Sequence, residues 1–182
     1  MEAFRRGWSF LKQAWQMAFK DKDLLKPSLY ALVAGGVVSV LGIVPIVGAG
    51  MILGTEGTVA QVVLFALGAL LVFSEFIVSY VFSAMTVYLI YGYLSEGDGR
   101  MDKAWAIVRR DFFDILTLAA ASTVVNLIKG AANRNRNRGV GAAVARAGAG
   151  LLDTLWTEAA LLVLPAMVID DLNLKKGLER VW

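Results

Sequence analysis

Apolar positions along this chain fall into long runs divided by short polar turns, with three shorter stretches in which apolar residues recur every three or four positions. The longest run, 59–94, holds one ionisable residue, Glu75, and neither glycine nor proline between Gly68 and Gly92. A bilayer core about 30 Å thick is crossed by roughly 20 apolar residues of helix, so this run exceeds a single span. It reads as one long helix, part of which projects from the membrane or packs on protein. The alternative is a pair of short spans turning near Ser74 and Glu75, where no helix breaker stands.

The run 28–53 is a charge-free span in which Ala31, Gly35 and Ser39 sit four apart, a stripe that lets another helix approach closely. Pro45 and the surrounding glycines make its second half prone to kinking. A further span, 139–169, begins with the small residues Gly139, Ala143 and Ala147, contains Asp153 and Glu158, and is kinked or ended by Pro165. Between them 115–128 is weaker, diluted by Thr117, Ser122, Thr123 and Asn126. Its length fits a short or re-entrant segment buried in protein.

The three periodic stretches are amphipathic helices at 1–22, 101–113 and 172–182. In the first, Phe4, Trp8, Leu11, Trp15 and Phe19 share a face, with Arg5, Arg6, Lys12 and Lys20 mostly elsewhere around the wheel. Tryptophan on the apolar side and bases beside it fit a helix lying in the headgroup plane. In the second, Met101, Trp105, Val108 and Phe112 form the stripe; in the third, Leu174, Leu178, Val181 and Trp182 do, and that pattern stops after about two turns. That early stop leads to the expectation of a longer native chain. The fold class is therefore all-α: a single polytopic helical membrane domain with three to four membrane segments and interfacial amphipathic helices.

Charge sets the sidedness. With the N-terminus cytoplasmic, the acidic turn 54–58 falls outside and 95–111 returns inside. If 115–128 crossed, Lys129, Arg134, Arg136, Arg138 and Arg146, five bases with no acid among them, would lie outside, against the bias of bases towards the cytoplasm. A non-crossing 115–128, or a hairpin at Glu75, removes the conflict. The first is preferred, because that segment is the least hydrophobic. The localisation expected is a prokaryotic cell membrane, multi-pass.

Composition narrows the chemistry. Of 182 residues 58% are hydrophobic, and there is no cysteine and no histidine. Disulfides, thiol chemistry, imidazole catalysis and the usual zinc and haem ligands are excluded. No catalytic motif or cofactor site is expected, so the chain reads as a non-enzyme with no cofactor and no metal. Residues 1–23 lack the apolar core of a cleavable signal. The net charge of +3 and the absence of a nucleic-acid fold leave membrane lipids, and a second copy or membrane-complex partner, as the expected partners.

Candidate polar sites follow from depth. Glu75, Asp114, Asp153 and Glu158 are carboxyls in or near apolar segments, where an acid pairs with a base, faces a bundle interior or marks an ion path. Arg146 is the nearest base to Asp153 in sequence. Arg5, Arg6, Lys129, Arg134, Arg136 and Arg138 are candidate contacts for anionic lipid, since arginine matches phosphate oxygens. The expected function is that of an accessory or scaffold subunit working through helix packing; an oligomeric channel or transporter with carboxylates lining its path is the alternative.

Several of these features together resemble a family of bacterial and archaeal integral membrane proteins grouped as domain of unknown function 6159. They are Phe4, Trp8, Leu11-Lys12 and Trp15 followed by Asp21-Lys22-Asp23-Leu24-Leu25, then Gly97-Asp98, Trp156, Leu164-Pro165 and Asp170-Asp171. The resemblance covers nearly the whole chain and implies a helical membrane fold, with no activity and no catalytic residue. The alternating Asn-Arg string at 133–138 departs from it.

Overall fold

A computed structural model describes the backbone of 2–134 and 140–181, with side chains at 5–9, 12, 15, 16, 19–132 and 147–181. Among these residues there are seven α-helices and no strand: α1 (Glu2–Lys20), α2 (Lys26–Leu53), α3 (Thr58–Glu96), α4 (Met101–Arg110), α5 (Phe112–Arg134), α6 (Val140–Asp170) and α7 (Leu174–Val181). Four of them, α2, α3, α5 and α6, are long and apolar enough to cross a membrane. The chain is an all-helical membrane protein.

Local chemistry sets the ends. Pro27 occupies the first turn of α2, where its missing N–H costs nothing. Gly97 ends α3 in the left-handed region (φ 79°) and returns its N–H to Tyr93 O at 3.0 Å. No glycine or proline interrupts α3 around Glu75, and the helix runs through without a break.

Helix α3 is the mast of the bundle. α2 lies antiparallel on one side of it, while α5 and α6 pack on the other and against each other. On the α2 side the small-residue stripe meets α3: Ser39 touches Glu75, and a Cβ on Gly35 would sit 3.4 Å from the Glu75 carboxylate. The stripe continues to Gly42, the tightest approach, where a Cβ would overlap the end of the Leu71 side chain and lie 3.1 Å from its Cγ. Gly42→Val should therefore destabilise the α2–α3 hairpin by about 1–3 kcal/mol, the usual cost of overpacking. A lowered unfolding midpoint in detergent checks this.

The turns fall on two faces. At one, the carboxylate of Asp21 accepts the Gly99 N–H at 3.1 Å, tying the segment before α2 to the α3–α4 turn. The same face carries Asp111, which is buried between α4 and α5 and takes a two-pronged contact from Arg110 (2.6 and 3.0 Å). Arg110 also reaches Asp171 (3.2 Å) beyond α6, and Arg180 of α7 reaches Asp170 (3.2 Å). Hydrogen bonding to Asp111 holds the Arg110 guanidinium above its already high ordinary value, so it keeps its charge. At the opposite face lie the α2–α3 turn, the end of α5 and the start of α6.

The core sits towards the first face. Met85 and Leu89 of α3, Ala104 and Val108 of α4, Ile115 and Leu118 of α5, and Val163, Leu164 and Met167 of α6 are all buried there. α7 closes it, with buried Gly177 so near α6 that a Cβ would lie 3.1 Å from Val163. Towards the other face the helices part, leaving clefts along α3.

Two expectations need correction. The segment 115–128 is not a short, separate piece: α5 runs 23 residues, about 34 Å at 1.5 Å per residue. It is antiparallel to α3, and Gly130 and Ala131 line one cleft with Leu64 and Gly68 near the start of α3. Lys129 does not end the helix, because its charge is met on α6. The second amphipathic helix also stops earlier than 113. Asp111 separates it from α5, so Phe112 belongs to the next helix, and Ala104 and Val108 form the buried side of α4. Its Trp105 meets Phe82 of α3 edge-on at 6.5 Å.

Candidate functional site: a polar band across the bundle

Polar side chains gather where the packed half of the bundle gives way to the open half. Their centre is Ser122 of α5, which is buried. Its Oγ accepts the indole N–H of Trp156 on α6 at 2.8 Å and shares a hydrogen bond of 2.7 Å with the Tyr80 hydroxyl on α3. One hydroxyl thus ties three helices together. A small polar residue suits that place, because a half-buried indole N–H and phenol inside an apolar bundle need partners.

Two carboxylates flank this node. Asp153 of α6 is ion-paired with Lys129 of α5. Glu75 of α3 accepts a 2.5 Å hydrogen bond from the Ser39 hydroxyl on α2. Serine is thus both the small residue that admits α3 and the donor that satisfies its acid.

Two clefts join these groups. One of about 270 Å³ lies between α3, α5 and α6, with Ser79, Tyr80, Ser83, Ser122, Asn126 and Asp153 among its walls. The other, about 450 Å³ and wider open, runs between α2 and α5 over Glu75, with Ser39, Ser79 and Asn126 beside it. Asn126 borders both, is exposed, and has no hydrogen-bond partner among the described residues. Serine hydroxyls, an amide and two carboxylates can exchange hydrogen bonds with water, an ion or a polar group from another helix. Among the described residues no set of three acidic, histidine or cysteine side chains could hold a metal.

The predicted residues divide accordingly. Glu75 and Asp153 belong to the band. Asp114 does not, since it lies in the first turn of α5, where the helix dipole favours an acid. Glu158 is also apart, exposed on the side of α6 away from the bundle. Among the described side chains the base beside Asp153 is Lys129, which is half-exposed and ion-paired across α5 and α6. Arg5 is exposed on α1, as are Trp8, Trp15 and Phe19. Arg136, Arg138 and Gly139 lie outside the described residues, and of Arg134, Ala143 and Arg146 only the helical backbone is described.

Ser122, Tyr80 and Trp156 belong to the band without having been selected from the sequence, and Lys129 was selected for anionic lipid rather than for Asp153. Ser122 was legible only as a polar dilution of a weak segment. The signal for Lys129 was a base on α5 and an acid on α6, 24 positions apart, which only the antiparallel pairing of the two helices converts into contact. Comparison with known proteins finds no matching family model, no matching curated protein and no matching solved structure.

Proposed function

We propose that the chain is a non-enzymatic subunit of the membrane that acts by packing its helices against other membrane helices, as an accessory or scaffold component. Glu158 carries this reading. It stands at the midpoint of the apolar segment Ala147–Asp170, on the outer side of α6, with Leu151, Leu155 and Leu162 exposed around it. A carboxyl at that depth facing hydrocarbon is costly, and such groups face protein in assembled bundles. The exposed aromatic stripe of α1 supports contact with the bilayer surface.

Thirteen of the 18 bases belong to α1, the turn before α2 and the first residue of α2, α4 with the residue preceding it, and α7, while Lys129 to Arg146 supply the remaining five. With four crossings, the first face and the N-terminus are cytoplasmic by the positive-inside rule. The α5–α6 connection is then external, contrary to the expectation from 115–128 alone. A membrane-impermeant thiol reagent should label Asn135→Cys in intact cells; labelling only after lysis reverses this assignment.

Purification from the native membrane in mild detergent, followed by native mass spectrometry, tests the main reading. A complex of fixed stoichiometry is expected; a monomer with nothing attached would overturn it. The second reading, an oligomeric channel or transporter, is favoured by the open groove over Glu75. If it holds, Glu75→Gln in proteoliposomes lowers ion or proton flux by about tenfold or more with the fold retained, as expected for a carboxyl on an ion path. Wild-type vesicles that pass nothing would remove this reading.

A further inference from the structure

We infer that the partner across the outer side of α6 is a second copy of this chain, docked by a parallel α6–α6 contact in which the two Glu158 carboxyls meet at a two-fold axis. The inference rests on the assembly reading above and names its partner.

Gly148, Leu151, Leu155, Glu158, Leu162 and Pro165 follow one another at alternating spacings of three and four. That is the repeat of a left-handed helix pair, in which one seam keeps facing its partner. The seam lies opposite the side of α6 that is buried in the bundle, where Ala160, Val163 and Met167 are at most 6% exposed. Along the seam Leu151 is 66%, Leu155 50% and Leu162 59% exposed. No described helix covers it. Gly148 gives it a small residue at the end where the bundle opens.

Glu158 selects the occupant. Two copies inserted in the same sense sit at the same depth, so their α6 helices can only run parallel and in register. Glu158 lies eleven residues from Ala147 and twelve from Asp170, so identical depth brings it against its own counterpart. A neutral carboxyl is self-complementary, with one O–H to donate and a carbonyl oxygen to accept. In hydrocarbon a hydrogen-bonded pair of such groups is far cheaper than a lone ionised carboxylate. Thr154, exposed one turn away on α6, returns its own hydroxyl to Gly150 O (3.0 Å), which leaves Glu158 as the polar group of the seam that needs a partner.

The chain has no cysteine, so the contact can be mapped by introducing one at a time. Leu155→Cys and Leu162→Cys in native membranes should form disulfide-linked dimers under mild oxidation. Leu32→Cys, on an equally exposed face of α2, should not. Glu158→Leu should lower the dimer fraction by about tenfold, whereas Glu158→Gln, whose amide also both donates and accepts, should retain it. Helical circular dichroism of each variant separates lost association from lost folding. Absence of the α6 cross-links with a different chain bound in native mass spectrometry overturns the two-fold contact and leaves the assembly reading standing. A bare monomer overturns both.

Discussion

Lys129→Leu is expected to lower the stability of the bundle by about 2–4 kcal/mol, because it leaves Asp153 without its base inside the membrane. Removing one partner of a desolvated ion pair strands the other charge, a loss of about 3–5 kcal/mol when burial is complete. Here the two side chains are 42% and 30% exposed, which sets the smaller figure. Lys129→Arg should stay close to wild type. Exchanging the pair, Lys129→Asp with Asp153→Lys, should recover most of the loss. Unfolding midpoints in detergent micelles decide the matter, and equal midpoints for wild type and Lys129→Leu would show that the pair holds nothing.

Ser122→Val is expected to have a comparable effect by a different route. It removes the acceptor of the Trp156 indole and the partner of the Tyr80 hydroxyl at once, and places extra carbon at a site only 2% exposed. Interhelical hydrogen bonds in membranes contribute about 0.6 kcal/mol on average and up to about 1.7. Overpacking adds roughly 1–3 kcal/mol. A total of about 2–5 kcal/mol follows, with a shift in Trp156 emission as the indole loses its partner. Ser122→Ala loses the same hydrogen bonds without the overpacking, so it isolates their contribution, and the difference between the two variants isolates the overpacking.

Helix number and type were legible because hydrophobicity and breakers are local properties. The uninterrupted 59–94 run contains no glycine or proline at its centre, and α3 passes through Glu75 unbroken. Pairing was not legible in the same way. In the sequence Ser39 reads as a small residue, and its hydroxyl acquires meaning only when α3 brings Glu75 within 2.5 Å. Segment 115–128 looked too polar to be a full span, since Thr117, Ser122, Thr123 and Asn126 were counted as costs and Lys129 was placed in the basic loop beyond it. The structure meets two of these with Trp156, Tyr80 and Asp153, partners 24 to 42 positions away, and hydropathy counting has no access to them.

The central position of α3 bears on the order in which the chain enters the bilayer. The first two long helices have mean hydropathies of 2.3 and 2.4 over their best windows, against 1.5 and 1.6 for α5 and α6. The lower hydropathy of the later pair makes it less suited to partition alone. By the time α5 and α6 emerge from the ribosome, α3 is already in place to receive them. Lys129 and Asp153 neutralise each other once the two segments enter as a hairpin, and Tyr80 is waiting for Ser122. The early half is therefore expected to insert when expressed by itself, and the late half to insert only when the early half is present, which membrane fractionation of the separately expressed halves checks.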